Sequence, residues 1–79
     1  SNEQQDSVRM GLNQETIKWS AKEIVINGMK FALRDDSDQL YDYDSYLFAL
    51  ENPGAKPRLL AEVQRDDSGK IIGAKVVKI

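Results

Sequence analysis

Ile24-Val25-Ile26-Asn27-Gly28-Met29-Lys30-Phe31-Ala32-Leu33-Arg34 is the stretch that decides the fold. Two apolar runs flank Asn-Gly, and both of those residues tolerate the positive φ of a type I′ turn. Along the second run Met29, Phe31 and Leu33 point to one face, and Lys30, Ala32 and Arg34 to the other. This is the pattern of a half-buried antiparallel strand. The segment therefore predicts a β-hairpin.

Working outward, Arg34-Asp35-Asp36-Ser37 recurs letter for letter as Arg65-Asp66-Asp67-Ser68. Each copy follows an apolar run and leads into another, Leu40-Tyr41 after the first and Ile71-Ile72 after the second. Both copies read as hairpin corners. Asp67-Ser68-Gly69 suits a type I turn followed by a left-handed glycine, which creates a G1 bulge. Gly73 marks a further bulge or a close backbone approach. The first copy has Asp38 where the second has Gly69. Asp visits positive φ more readily than most residues, so the same turn shape is expected there at some cost. The match ends with the tetrapeptide, which makes it a recurring turn device rather than a duplication.

The remaining segments are less regular. Ser1 to Gly11 has only Val8 and Met10 as apolar residues and reads as a flexible tail. Gly11 to Glu23 admits two readings. Asn13 can cap a helix carrying Leu12, Thr16 and Trp19, or Ile17, Trp19 and Ala21 can alternate along a strand. β-branched Thr16 and Ile17 favour a strand or extended lead-in. Ser45 to Glu51 predicts one or two helical turns, capped by Asp44 or Ser45 and stopped by Asn52-Pro53-Gly54. A bent strand is the alternative. Arg58 to Gln64 and Lys70 to Ile79 form the arms of the last hairpin.

The expected fold is mainly β, with α+β as the alternative: a small antiparallel sheet of four or five strands, built from two hairpins with a short helix or crossover between them. Residues 12–79 form one domain behind the tail. The expected core is Ile24, Ile26, Phe31, Leu33, Leu40, Tyr43, Leu47, Leu50, Leu60, Val63, Ile72, Val76 and Val77.

Seventy-nine residues bury a thin core, and small domains often add disulfides or a metal to compensate. This chain has no Cys and no His. That removes disulfides, thiolate nucleophiles, imidazole acid–base chemistry and the usual zinc ligand sets. Ser20, Ser37, Ser45 and Ser68 have no histidine to activate them. Gly69-x-x-x-Gly73 lacks the context of a phosphate-binding loop. The carboxylates fall in predicted turns, where nothing raises their pKa for acid catalysis. A non-enzymatic protein without cofactor or metal is expected. No apolar stretch reaches the ~20 residues of a membrane helix. No basic segment followed by an apolar run stands at the N-terminus, so no secretory signal is expected. The expected location is intracellular, in the cytoplasm.

The charges are segregated. Net charge is −2, yet residues 35–55 hold Asp35, Asp36, Asp38, Asp42, Asp44 and Glu51 with no Lys or Arg. The same stretch carries all three tyrosines, Tyr41, Tyr43 and Tyr46. Carboxylates between aromatics can steer a basic partner and hold its apolar stems or cations. Asp38, Tyr41, Asp42, Tyr43, Asp44 and Tyr46 are therefore the candidate partner-binding residues. The plainer reading weighs more: in a strand Tyr41 and Tyr43 share a core face, and Asp42 and Asp44 face solvent. Asp35-Asp36-Ser37-Asp38 lacks the spacing and distal glutamate of a calcium loop.

From Lys56 onward the balance turns basic. Arg58, Arg65, Lys70, Lys75 and Lys78 are the candidate phosphate contacts for nucleic acid. No aromatic residue follows Lys56 to stack on bases, and the sequence pI is about 5.0, so nucleic acid ranks below a protein partner. The expected function is a protein-interaction module: an adaptor, an inhibitor or an accessory domain. It would bind a protein partner through an exposed strand edge or, for a basic partner, the acidic–aromatic strip. The alternatives are a nucleic-acid accessory domain and a self-associating structural protein.

Overall fold

A computed structural model of the chain describes residues 16–77. The readings for Ser1 to Glu15 and for Lys78 and Ile79 lie outside the described residues. The elements are β1 (Ala21–Ile26), β2 (Met29–Arg34), β3 (Gln39–Asp42), α1 (Tyr43–Glu51), β4 (Leu59–Arg65) and β5 (Ile71–Val76). The strands form one antiparallel sheet in the order β1-β2-β3-β4-β5, a meander in which sequence neighbours are sheet neighbours. The protein is thus mainly β, with one short helix after the third strand. Residues 16–20 are not helical, as the extended reading expects.

The predicted turns explain the sheet. Asn27 and Gly28 have φ of 52° and 80°, and Ile26 pairs with Met29 across them. The register then sets Ile24 against Phe31 and Lys22 against Leu33. At the far end Asp66 N–H donates to the Lys70 carbonyl and Gly69 N–H to the Asp66 carbonyl, both at 2.9 Å. Gly69 has φ of 89°, so the type I turn with a left-handed glycine forms as its residues predict. The corner at Asp35 to Asp38 differs. Asp38 does not take positive φ; Asn27 is the one non-glycine residue that does among those described. The Asp38 carbonyl accepts the Val63 N–H at 2.9 Å, and extended pairing there removes the need for a left-handed residue.

One face of the sheet carries the core. Phe31, Leu33, Leu40, Ala61 and Val63 are buried together, with Ile24, Ile26, Leu60, Ile71 and Ala74 packed against them. Leu40 is wholly buried, because β3 is the central strand and Leu33 and Ala61 flank it. Leu40 faces Ala61 but Tyr41 faces Leu59, so Leu60 is an extra residue in β4. This bulge lets Leu60 join Ala61 on the core side.

The opposite face has its own small core. Ala32 points away from Phe31 and Leu33 by strand alternation, yet it is fully buried, as are Ala49 and nearly all of Tyr46. Helix α1 packs here, against β2 and β3. An alanine at the centre of β2 lets the helix approach closely.

Four expected core residues are corrected. Leu47, Leu50, Ile72 and Val76 are exposed. Leu47 and Leu50 lie off the side of α1 that meets the sheet, which is occupied by Tyr46 and Ala49. Gln64 pairs with Gly73 and Arg65 with Ile71, so Ile72 is the bulged residue and is turned outward. Val76 ends an edge strand with a neighbour on one side alone. Ala32, Tyr46, Ala49 and Ala61 take up the buried positions instead. No helix among the described residues is long and apolar enough to cross a membrane.

Candidate functional site

The acidic–aromatic stretch does not run as one strand. β3 stops at Asp42 because that residue caps α1: its carboxylate accepts the Ser45 N–H at 2.9 Å, and its carbonyl accepts Ser45 Oγ–H at 3.1 Å. The cap is Asp42, not Asp44 or Ser45. An aspartate satisfies an orphan amide and complements the positive end of the helix dipole. Ser45 Oγ in turn accepts the Arg58 N–H at 2.9 Å, and Asp42 N–H donates to the Arg58 carbonyl at 2.9 Å. The start of the helix is thereby tied to the start of β4. At the other end Asn52 Nδ2 donates to the Phe48 carbonyl at 2.7 Å.

This strand-to-helix switch separates the tyrosines. Tyr41 remains on β3 and lies against the Trp19 ring, with centroids 5.0 Å apart. Tyr46, on the sheet side of α1, meets the same indole at 5.0 Å. Arg34 places its guanidinium 4.8 Å from the Trp19 ring centre. Trp19 is therefore a packing anchor between sheet and helix, stabilised by tilted aromatic and cation–π contacts. Tyr43, the first residue of α1, is half-buried with the Lys30 ammonium 5.1 Å above its ring. Lys30 also pairs with Glu23 at 3.6 Å. Tyr41 and Tyr43 thus do not share a strand face.

The acids are separated as well. Asp38 receives Arg65, with Nη2 at 3.1 Å and Nε at 3.3 Å from its carboxylate. Asp36 is paired with Arg34, and that ion pair holds its carboxyl below the usual aspartate range. Of the six candidate residues, Asp38, Asp42, Tyr41 and Tyr46 serve the fold directly. Asp44 alone stands exposed on the helix.

What the helix leaves outward is a different set. At ~100° per residue, Asp44, Leu47, Phe48 and Glu51 fall on one stripe, on the side opposite Tyr46 and Ala49. Leu47 is 41% exposed and Phe48 60%. α1 is apolar on both sides but has a sheet on one. A soluble helix normally presents polar residues to water on the side away from its core. The spacing Asp44, Leu47, Phe48, Glu51 was legible in the sequence as i, i+3, i+4, i+7. It reads as an inward stripe until Ala49 and Tyr46 are known to take the sheet.

The basic candidates do not form a single phosphate-facing surface. Arg65 is engaged by Asp38 and also donates to the Gly69 carbonyl at 2.7 Å. Lys75 stands across β4–β5 from Glu62. Arg58 and Lys70 are exposed at opposite ends of β4 and its turn, and Lys78 lies outside the described residues. No group of three or more metal-ligating side chains converges among the described residues. No protein-family model matches this chain, and neither a curated protein nor a solved structure does.

Proposed function

We propose that this protein is a small non-enzymatic interaction module whose contact surface is the outward stripe of α1. One observation carries the reading: a nine-residue helix that buries Tyr46 and Ala49 leaves Leu47 and Phe48 in water on its other side. Apolar side chains gathered beside carboxylates on an ordered helix form the kind of patch that proteins use to dock.

The edge route has weaker support. Both sheet edges carry features that discourage an added strand. β1 presents Lys22 and Glu23, and β5 has Lys75 in mid-strand and a bulge at Ile72. The nucleic-acid reading is weakened by the carboxylates standing against Arg65 and Lys75. A cytoplasmic location belongs to the same proposal and suits a fold that uses no disulfide.

The test is affinity capture from host extract with the wild-type chain and Phe48→Ser. A partner retained by the first and lost by the second, with both giving the same circular dichroism spectrum, supports the reading. Equal capture by both would move the contact surface elsewhere.

A further inference from the structure

Resting on that reading of α1, we infer that the partner presents a cationic amphipathic helix to the stripe. Asp44 and Glu51 lie seven residues apart on the outward side, with Leu47 and Phe48 between them. Seven residues of helix rise about 10 Å, so the carboxylates bracket an apolar step two turns long. α1 has no basic residue in its last turn, and residues 35–55 contain no Lys or Arg at all. Two cations that neighbour α1 through β2 are committed elsewhere: Lys30 to Glu23 and Tyr43, and Arg34 to Asp36 and Trp19.

The complementary surface therefore has two cations about 10 Å apart with apolar side chains between. An α-helix meets this with Lys or Arg at positions i and i+7 and Leu-like residues at i+3 and i+4. Two helices crossing at a shallow angle keep such rows in register over two turns. Apolar burial supplies most of the affinity, while the paired charges choose the partner and speed its approach. An acidic helix with the same apolar pattern is rejected, because like charges would face each other across the seam.

A fluorescence titration of the full chain with three short helical peptides tests this. They share one apolar pattern and carry Lys, Gln or Glu at the bracketing positions. The Lys peptide should bind at least about tenfold more tightly than the Glu peptide, and should weaken as salt rises. Asp44→Asn and Glu51→Gln should each weaken it by about two- to fivefold. Phe48→Ser should cost about tenfold for every peptide that binds.

Equal binding of the Lys and Glu peptides, or indifference to Asp44→Asn and Glu51→Gln, overturns the cationic partner. The contact surface itself survives that result if Phe48→Ser still weakens binding. Binding that ignores Phe48→Ser overturns both. Failure of all three peptides overturns the helical partner, and the capture experiment alone then decides the surface. A sedimentation profile that shifts with concentration for the wild type but not for Phe48→Ser would make the occupant a second copy of this chain.

Discussion

The two copies of Arg-Asp-Asp-Ser are identical in sequence and different in structure. In the second, Asp66 organises the corner: its carboxylate accepts from Ser68 N–H, Ser68 Oγ–H and Lys70 N–H at 2.9, 2.7 and 3.0 Å. In the first, the matching work falls to other residues. Arg34 turns back onto Asp36, and Ser37 Oγ accepts the Gln39 N–H at 3.4 Å. The arginines differ as well. Arg34 stays within its own turn and covers Trp19, while Arg65 bonds the Gly69 carbonyl of its own turn and also reaches Asp38 in the other one. The difference traces to the fifth position. Gly69 permits the left-handed step that closes a self-contained turn. Asp38 instead extends towards β4, so its turn is built by tertiary contacts.

Leu40→Ala should have the largest effect, because Leu40 is wholly buried between Leu33 and Ala61 on the row joining the two hairpins. A loss of about 2–5 kcal/mol in chemical denaturation is expected, with both turns lost in one transition. Two separate transitions would show that the hairpins fold independently.

Exchanging the fifth residues comes next. Gly69→Ala meets no atom within 4 Å, so its cost is conformational. Holding alanine at φ near 89° should lower stability by about 1–2 kcal/mol. Asp38→Gly should cost less, about 1 kcal/mol at most, since it removes an exposed ion pair with Arg65. It should leave the first turn open rather than convert it to the form of the second. Equal losses in the two variants would contradict the view that one corner is local and the other tertiary.

The smallest effect is a pH response read residue by residue. Hydrogen bonds from Ser68 and the Lys70 amide hold the Asp66 carboxyl below the ordinary aspartate range, and Arg34 does the same for Asp36. A folded pKa below the unfolded value of about 3.9 means stability that is present above that pH and lost as the pH falls through the folded value. In an NMR titration Ser68→Ala should move Asp66 upward and leave Asp36 in place, and Arg34→Gln should do the reverse. A shift of both carboxyls in either variant would mean that the turns are electrically coupled.

The hairpin corners were legible because their information is local. Asn27-Gly28 and Asp67-Ser68-Gly69 specify backbone conformations through the residues themselves. The alternation of Met29, Phe31 and Leu33 likewise specified a strand with a core side. The candidate site was less legible. Asp42 looked like a member of a strip and is a helix cap. Tyr46 looked exposed and is buried, whereas Leu47 looked buried and is exposed. A helix with large apolar residues on two sides gives no signal as to which side will meet the sheet.

The sequence by itself determined the antiparallel strands, two of the corners, the place of the helix and the segregation of charge. Each of these depends on residues within a few positions of one another. Tertiary structure alone decided that Ala32 opens a seat for α1, that Trp19 joins Tyr41 to Tyr46, and that Arg65 crosses to Asp38. It also decided which side of α1 faces water. The physical reason is shape: Ala49 and Tyr46 fit the surface around Ala32, and that fit leaves Asp44, Leu47, Phe48 and Glu51 outward.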